Sequence, residues 1–351
     1  MSPPIIVASN RGPLTFERAP KGGDLQARRG SGGLVTALSS ALIEAEGVWV
    51  AAAMSEGDRE MVAASKGGRI DHAEGDVRYR LRYLDIPPDL YEGYYNRISN
   101  GMLWFAYHYL WDTVTSPSFG PDVEEAWDAY VDVNRRFATA LAEEGEARGG
   151  DTAYLIQDYH LSLVPRMLRE LVPGALIAHF SHTSIAGPTY FRMLPARIHD
   201  QVLGGLMGAD VLGFHSPAWA ENFLLSARQF PGARVDLARS RIVTEGREVM
   251  VRIHPISVEA VRCARRRRPP GCAAFGPRST SGATTTDSSF ASTGSSSPRT
   301  WFAGSRRTNS SCAGTRRGSD GSVSSRCSRP RGWSCPSTAS TRRHASMRPA
   351  A

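Results

Sequence analysis

Short apolar runs that end in polar clusters set what this chain can become. Ile5 to Ser9 runs into Asn10-Arg11, and Ala153 to Ile156 into Gln157-Asp158-Tyr159-His160. Leu176 to Phe180 runs into Ser181-His182-Thr183, and Ala209 to Phe214 into His215. Each run has the length of a buried strand, and helix-period apolar patterns follow three of them: Leu161, Val164, Leu168 and Leu171; then Ile198, Val202 and Leu206; then Trp219, Phe223 and Leu224. Val48 to Ala53 reads as a strand. Tyr79 to Leu84 alternates with period two and reads as a half-exposed strand; Arg241–Thr244 and Val249–Ile253 are two more. A single helix is expected from Tyr190 to Met207. Another runs from Asp122 to Glu143 with Val123, Trp127, Tyr130, Val131, Phe137 and Leu141 on its apolar stripe. Strands alternating with helices predict an α/β fold, a parallel sheet with helices on both faces. In such a sheet, ligands sit outside the carboxyl ends of the strands.

The pattern stops near residue 261. Residues 1–261 carry a net charge of −7, whereas 262–351 carry +15 from 17 Arg against Asp287 and Asp320. The basic pI therefore belongs to the tail and does not mark a nucleic-acid face on the folded part. After Val261 there is no Leu or Ile, and Val323 is the one Val. Too little apolar surface is available there to offset chain entropy, so 262–351 reads as a disordered segment. Its composition also suits a GC-rich coding region translated in a shifted frame. All five cysteines lie in it, with no C-x-x-C pair, which indicates neither a zinc site nor a full disulfide set. Ile5-Ile6-Val7-Ala8 is too short for a signal peptide or a membrane span, so a soluble cytoplasmic protein with no membrane partner is expected.

Several residues have two readings. Gly30-Ser31-Gly32-Gly33 precedes a helix read from Leu34 to about Ala45. Its backbone amides could approach a phosphate, or it could be a flexible turn. Arg11 at the first strand end favours the phosphate. Asp158 either contacts a ligand or caps the following helix. His182 is either catalytic or a satisfied histidine at a strand end. Tyr94 to Tyr109 is the most aromatic stretch. Ring faces among Asn, Arg and His suit a sugar, with Tyr95 and Trp104 on the exposed side, while Ile98, Leu103 and Phe105 pack into the core.

Ser9-Asn10-Arg11, Gly32-Gly33-Leu34, Tyr94-Tyr95-Asn96, Ser99-Asn100, Leu103-Trp104, His108-Tyr109 and Gln157-Asp158-Tyr159-His160-Leu161 occur in an order and spacing that resemble the amino-terminal half of the trehalose-6-phosphate synthase family, retaining nucleotide-sugar glycosyltransferases. The resemblance covers residues 5 to about 260. It implies a Rossmann-like domain, the amino-terminal half of a GT-B fold spanning 1–261, with the active site facing a second domain. It implies transfer of glucose from UDP-glucose to glucose 6-phosphate, with no metal or other cofactor. By resemblance, Arg11 meets a phosphate, and Tyr95, Trp104 and Asp158 hold the glucose 6-phosphate. Gly32 and Gly33 lie by the donor diphosphate, and His182 stands by the transferred glucose as the catalytic residue. After His182 the family has a Pro-rich aromatic stretch where this chain reads Thr183-Ser184-Ile185-Ala186-Gly187-Pro188.

The family's second domain supplies Arg, Lys and an acidic residue around the donor, and none can be placed in 262–351. Little or no transfer by this chain is therefore expected. Two alternatives are a related transferase with another phosphorylated acceptor, such as a glycerol or cyclitol phosphate, and a non-catalytic sugar-phosphate-binding fragment. Nucleic-acid binding through the tail has charge but no stacking platform, so no specific nucleic-acid partner is expected.

Overall fold

The computed structural model describes residues 4–19, 23–30, 33–35, 38, 42, 47–74 and 77–256. Gly32, much of the helix read over 34–45, and the tail 262–351 with its frame-shift reading lie outside the described residues. Twelve strands are present among them: β1 (Ile5–Ala8), β2 (Leu14–Arg18), β3 (Leu25–Arg29), β4 (Val48–Ala52), β5 (Arg69–Glu74), β6 (Val77–Leu84), β7 (Ala153–Gln157), β8 (Leu176–Ser181), β9 (Val211–Phe214), β10 (Arg234–Asp236), β11 (Arg241–Thr244) and β12 (Arg247–Ile253). The longer helices are α1 (Glu56–Ala64), α2 (Pro121–Glu146), α3 (Val164–Leu171), α4 (Ala196–Leu206) and α5 (Pro217–Ala227).

Ten strands form one sheet in the order β10-β11-β12-β9-β8-β7-β1-β4-β6-β5. Pairing is parallel from β6 across to β12. It turns antiparallel at both edges, where β5 meets β6 and β12–β11–β10 form a meander. The α/β reading holds, with these antiparallel edges as an addition. From β1 the chain winds one way through β4 and β6. It then returns to β7 and winds the other way through β8, β9 and β12. The direction switches between β1 and β7, and the carboxyl ends flanking such a switch are where open α/β sheets bind ligands.

The two faces are covered differently. Ile6, Ala8, Val50, Tyr154, Ile156 and Ile177 face a large core built with α2 to α5 and the aromatic helical segment. Val7, Trp49, Ala51, Leu81 and Tyr83 face a smaller core under the β2–β3 hairpin, with Val35, Leu42 and α1. The polar, Gly-rich stretch after Pro13 forms that hairpin, with Leu14–Arg18 paired to Leu25–Arg29. Gly12 permits the turn into it, because a Cβ there would sit 2.4 Å from the Tyr83 hydroxyl oxygen.

Four further expectations are corrected. β6 is more buried than its alternation predicts: beside an exposed Arg80, Leu81, Arg82 and Tyr83 are all buried, with the Arg82 guanidinium neutralised by Glu143 and Glu144 of α2. The helix read over 190–207 is two, Pro188–Phe191 and α4, with Pro195 at the break. Leu171, counted on the apolar face of α3, is 54% exposed. Phe105, counted in the core, is 38% exposed. Its displacement has a geometric cause. Glu92–Leu103 is wound as a π-helix, and the Trp104 amide donates to the Ser99 carbonyl five residues back. An α-helix turns about 100° per residue and returns to the same face after seven residues. The π winding, roughly 4.4 residues per turn, rotates Phe105 by about 110° away from Ile98.

The hairpin is pinned by a buried carboxylate. Asp58 Oδ1 accepts from the Phe16 amide at 2.7 Å, and Oδ2 accepts from the Met54 and Ser55 amides, each at 3.0 Å. Asp58→Ala orphans three backbone donors and is expected to cost about 3 kcal/mol. Urea unfolding checks this, and a loss below about 1 kcal/mol would show that water replaces the carboxylate.

Candidate active site

Three adjacent parallel strands deliver the polar groups. Ala8 of β1 pairs with Ile156 of β7, and Gln157 of β7 pairs with Phe180 of β8. The residues just beyond these pairs, Ser9-Asn10-Arg11, Asp158-Tyr159-His160 and His182, therefore emerge along one edge.

After β1, the Ser9 hydroxyl donates to the Arg11 carbonyl at 2.6 Å and accepts from the Trp49 indole N–H at 2.7 Å. Asn10 donates to the Tyr91 hydroxyl at 3.2 Å and accepts from the Tyr94 hydroxyl at 3.1 Å. These bonds fix the backbone from which Arg11 projects. Arg11 Nη2 donates to the Tyr95 hydroxyl at 3.4 Å.

From Tyr95 a row of rings crosses the site. Tyr95 stacks on His160 (centroids 5.6 Å apart, planes at 16°), His160 lies 4.1 Å from Tyr159, and Tyr159 lies 6.0 Å from Trp104. Trp104 and Tyr95 are nine residues apart. In an α-helix they would face opposite ways, but the π winding brings them to within about 40° of each other. The far end is tied by Tyr159, whose hydroxyl donates to Asn100 Oδ1 at 2.9 Å. From below, Tyr130 of α2 donates to the Tyr159 carbonyl at 2.6 Å. Asn134 holds the His160 carbonyl and the Leu163 amide.

Asp158 occupies φ 70°, ψ 169°. That region is close to glycine-only and costs about 1–3 kcal/mol for another residue. Neighbours hold it there. Its amide donates to the Phe180 carbonyl at 2.7 Å, and its Oδ1 accepts from the His182 amide at 3.2 Å and the Thr183 hydroxyl at 3.4 Å. It makes no helix-capping hydrogen bond, so the capping reading is set aside. Burial raises its pKa to about 6. Burial, aided by Arg11, lowers His160 to about 3. Burial, aided by His215, lowers His182 to about 4. Both imidazoles are neutral at pH 7.

His182 Nε2 lies 2.9 Å from Gln157 Oε1. With the amide oxygen facing it, Nε2 carries the ring proton and Nδ1 keeps its lone pair. Both residues line an apolar groove of roughly 330 Å3 that also takes in Leu34, His215, His254 and Ile256. Gly33 is exposed, and a Cβ there would stand 3.9 Å from Cδ1 of Ile256, one of the groove's lining residues.

The structure thus brings Arg11, Tyr95, Trp104, Asp158 and His182 into one connected edge. Sequence reasoning passed over Gln157, Tyr159 and His160 as individual groups, although all three stand in the polar run that follows β7. It also missed Asn10, which bonds Tyr91 and Tyr94 beside the ring row, and Asn100, which accepts from the Tyr159 hydroxyl within it. Among the described residues, no cluster of His, Cys, Asp or Glu could hold a metal ion. No helix among them is long and apolar enough to cross a membrane.

Comparison with known proteins adds the following. Residues 3–271 match the model of Glycosyltransferase family 20. A trehalose-6-phosphate synthase of Mycobacterium ulcerans is 36% identical over 264 residues, covering 73% of this chain and 49% of that protein. A validamine 7-phosphate valienyltransferase of Streptomyces hygroscopicus subsp. jinggangensis is 32% identical over 257 residues, covering 72% and 51%. Among solved structures, an E. coli protein bound with UDP-2-fluoro glucose superposes with a TM-score of 0.57 at 25% identity, covering 76% of this chain and 51% of that one. The trehalose-6-phosphate synthase OtsA superposes with a TM-score of 0.59, also at 25% identity, covering 76% and 52%. The chain spans about half the length of the curated relatives it matches.

Two outcomes are expected. The folded chain binds fewer protons than the unfolded chain at His160, His179 and His182, whose pKa values fall from 6.5 to about 3, 4 and 4. Their contribution to stability therefore rises with pH up to about 6.5. Asp158 opposes this, since its pKa rises from 3.8 to about 6 and its contribution falls over that window. Three groups outweigh one, so the urea midpoint should be lower at pH 5 than at pH 7; the reverse would mean that the histidines are not held neutral. Separately, Gln157→Glu sets a carboxylate beside Nε2 and should raise the His182 pKa from about 4 to beyond 6 in a ring-nitrogen NMR titration. An unmoved pKa would show that the contact does not form.

Proposed function

Because the chain belongs to glycosyltransferase family 20, with residues 3–271 matching it, we propose that its described residues form the acceptor-side wall of a retaining hexosyltransferase site. The proposed reaction moves glucose from UDP-glucose to glucose 6-phosphate, giving trehalose 6-phosphate and UDP. The observation that carries this reading is the row of rings from Tyr95 to Trp104, with Arg11 at one end and the Asp158 carboxylate beside it. Arg11 supplies charge for the phosphate. Tyr95 and Trp104 supply ring faces for the C–H side of the sugar, and Asp158 accepts from its hydroxyls.

Neutral His182, aligned by Gln157, stands by the transferred glucose and helps stabilise the charge that develops there. Gly33 stands at a helix start, and Gly32 and Gly33 are the residues proposed to offer backbone amides to the donor diphosphate. No protein nucleophile is required: placing two reactants and stabilising a leaving diphosphate suffices. A cytoplasmic location goes with this reading.

A cyclitol phosphate is the second acceptor to consider, because one relative is a validamine 7-phosphate valienyltransferase. The Thr183–Ala186 stretch, unlike the family's Pro-rich one, lies next to Asp158 and gives that alternative a physical place.

On the 351-residue chain, calorimetry is expected to show glucose 6-phosphate binding that Trp104→Ala weakens by about tenfold or more. Asp158→Gly should lose the sugar phosphate yet unfold at a higher urea midpoint at pH 7, since it removes both the backbone strain and a buried carboxylate. Tighter binding of a cyclitol phosphate would transfer the assignment to that acceptor. Binding of neither would remove it. UDP release from UDP-glucose plus glucose 6-phosphate should be slow for this chain by itself, since it spans about half the length of the curated relatives it matches. Turnover at the rate of a synthase of twice its length would overturn that expectation.

A further inference from the structure

The aromatic helical segment has two working faces. Tyr95 and Trp104 face the site described above. On the opposite side, a second cavity of roughly 360 Å3 lies between this segment, the 111–119 loop and the start of α2. Its volume is within the range of small-molecule sites, about 300–1,000 Å3.

The lining is that of a carbohydrate site. Met102 lies in the apolar floor. Phe105 and Phe119, each more than a third exposed, offer uncovered ring surface. Trp111 meets Phe119 edge-on at 80° with centroids 6.1 Å apart, so the two rings form a corner. Trp111 is itself braced by Tyr190, which stacks on it at 5.7 Å and accepts from its amide at 2.8 Å. The corner is therefore held in the absence of a ligand. At the rim stand Arg97 and Asp122, opposite in charge; neither has a hydrogen bond or ion pair among the described residues.

An apolar ligand would leave both ionised groups idle against an uncharged surface. An anionic ligand would meet the Asp122 carboxylate, and a cation would meet Arg97. A neutral polyhydroxylated ring satisfies every wall: its C–H face covers the rings, and its hydroxyls donate to Asp122 and accept from Arg97. We propose that this cavity is a binding site for a neutral pyranoside, separate from the acceptor site and sharing one helical segment with it.

Saturation-transfer NMR on the full chain tests the assignment, with glucose, maltose and trehalose as neutral probes and glucose 6-phosphate as the charged one. Millimolar binding of at least one neutral sugar is expected, and it should persist when UDP and glucose 6-phosphate saturate the other site. Phe119→Ala and Asp122→Ala alter exposed side chains. Each should weaken neutral-sugar binding by about tenfold, with circular dichroism unchanged and glucose 6-phosphate affinity retained. No transfer to any neutral probe would overturn the proposal. So would binding that glucose 6-phosphate abolishes, or binding that both variants leave intact, since either places the sugar in the acceptor site. Loss of glucose 6-phosphate binding in the wild type would count against the proposed transferase function and leave this second site standing.

Discussion

Parallel pairing of β1, β7 and β8 in a single register is the constraint on which the site depends. Side chains alternate across a strand, so a slip of one residue would send Ile156 and Ile177 out of the main core and carry Gln157 to the opposite face. The core thus enforces the chemistry. Ile6, Ala8, Tyr154, Ile156 and Ile177 must point to one side to be covered by α2 to α5. Once they do, the chain leaves β1 at Arg11 and β7 at Asp158, on either side of the point where the winding reverses. The strained backbone of Asp158 is tolerable for the same reason: its amide is committed to the Phe180 carbonyl and its carboxylate to the amide of His182, both from β8 or its end.

Burial then determines which groups carry charge. The His160 ring lies between Tyr95 and Tyr159 and is desolvated to the point of neutrality, so it serves the row as a flat, uncharged plate. His182 is neutral by the same cause. At pH 7 the fixed charges of the edge are the exposed Arg11 guanidinium and the Asp158 carboxylate, which the proposed function uses to attract a phosphate and to accept from hydroxyls. Neutral imidazoles between them avoid a field that would hold the Asp158 carboxylate in an ion pair. A sugar hydroxyl can then compete for it.

Much of this was legible in the sequence. The apolar runs located β1, β4, β7, β8, β9 and β12, and the polar residues after β1, β7 and β8 are the ones the structure gathers. The misses share a physical origin in that tertiary pairing outweighed the local pattern. β2 and β3 carry no long apolar run because their polar positions face water, yet Asp58 and their mutual pairing fold them into a hairpin. Tyr79 to Leu84 alternates like a half-exposed strand, yet Arg82 is drawn inside by two carboxylates of α2 that lie 61 and 62 residues away in sequence. The π winding of Glu92–Leu103 has no single-residue signature. Read with α periodicity, the segment sends Phe105 into the core and separates Tyr95 from Trp104. The chemistry argued for both rings on one side, and only the wider helix satisfies that.

That winding also links the two faces of the segment. Ile98, Leu103 and Ala106 are buried and fix its rotation, while Gly93 lies so close to α2 that a Cβ would stand 2.8 Å from the Ala129 methyl. With rotation and separation both fixed, i→i+5 bonding gives way to α geometry at Trp104. An α winding there would turn Trp104 away from Tyr159 and carry Phe105 toward the core, so one winding sets the positions of both rings. A ligand resting on Phe105 from the outer side would favour the winding that also holds Trp104 beside Tyr159 in the proposed acceptor row. The coupling requires no long path, since the residues that would bear the two ligands are adjacent in sequence.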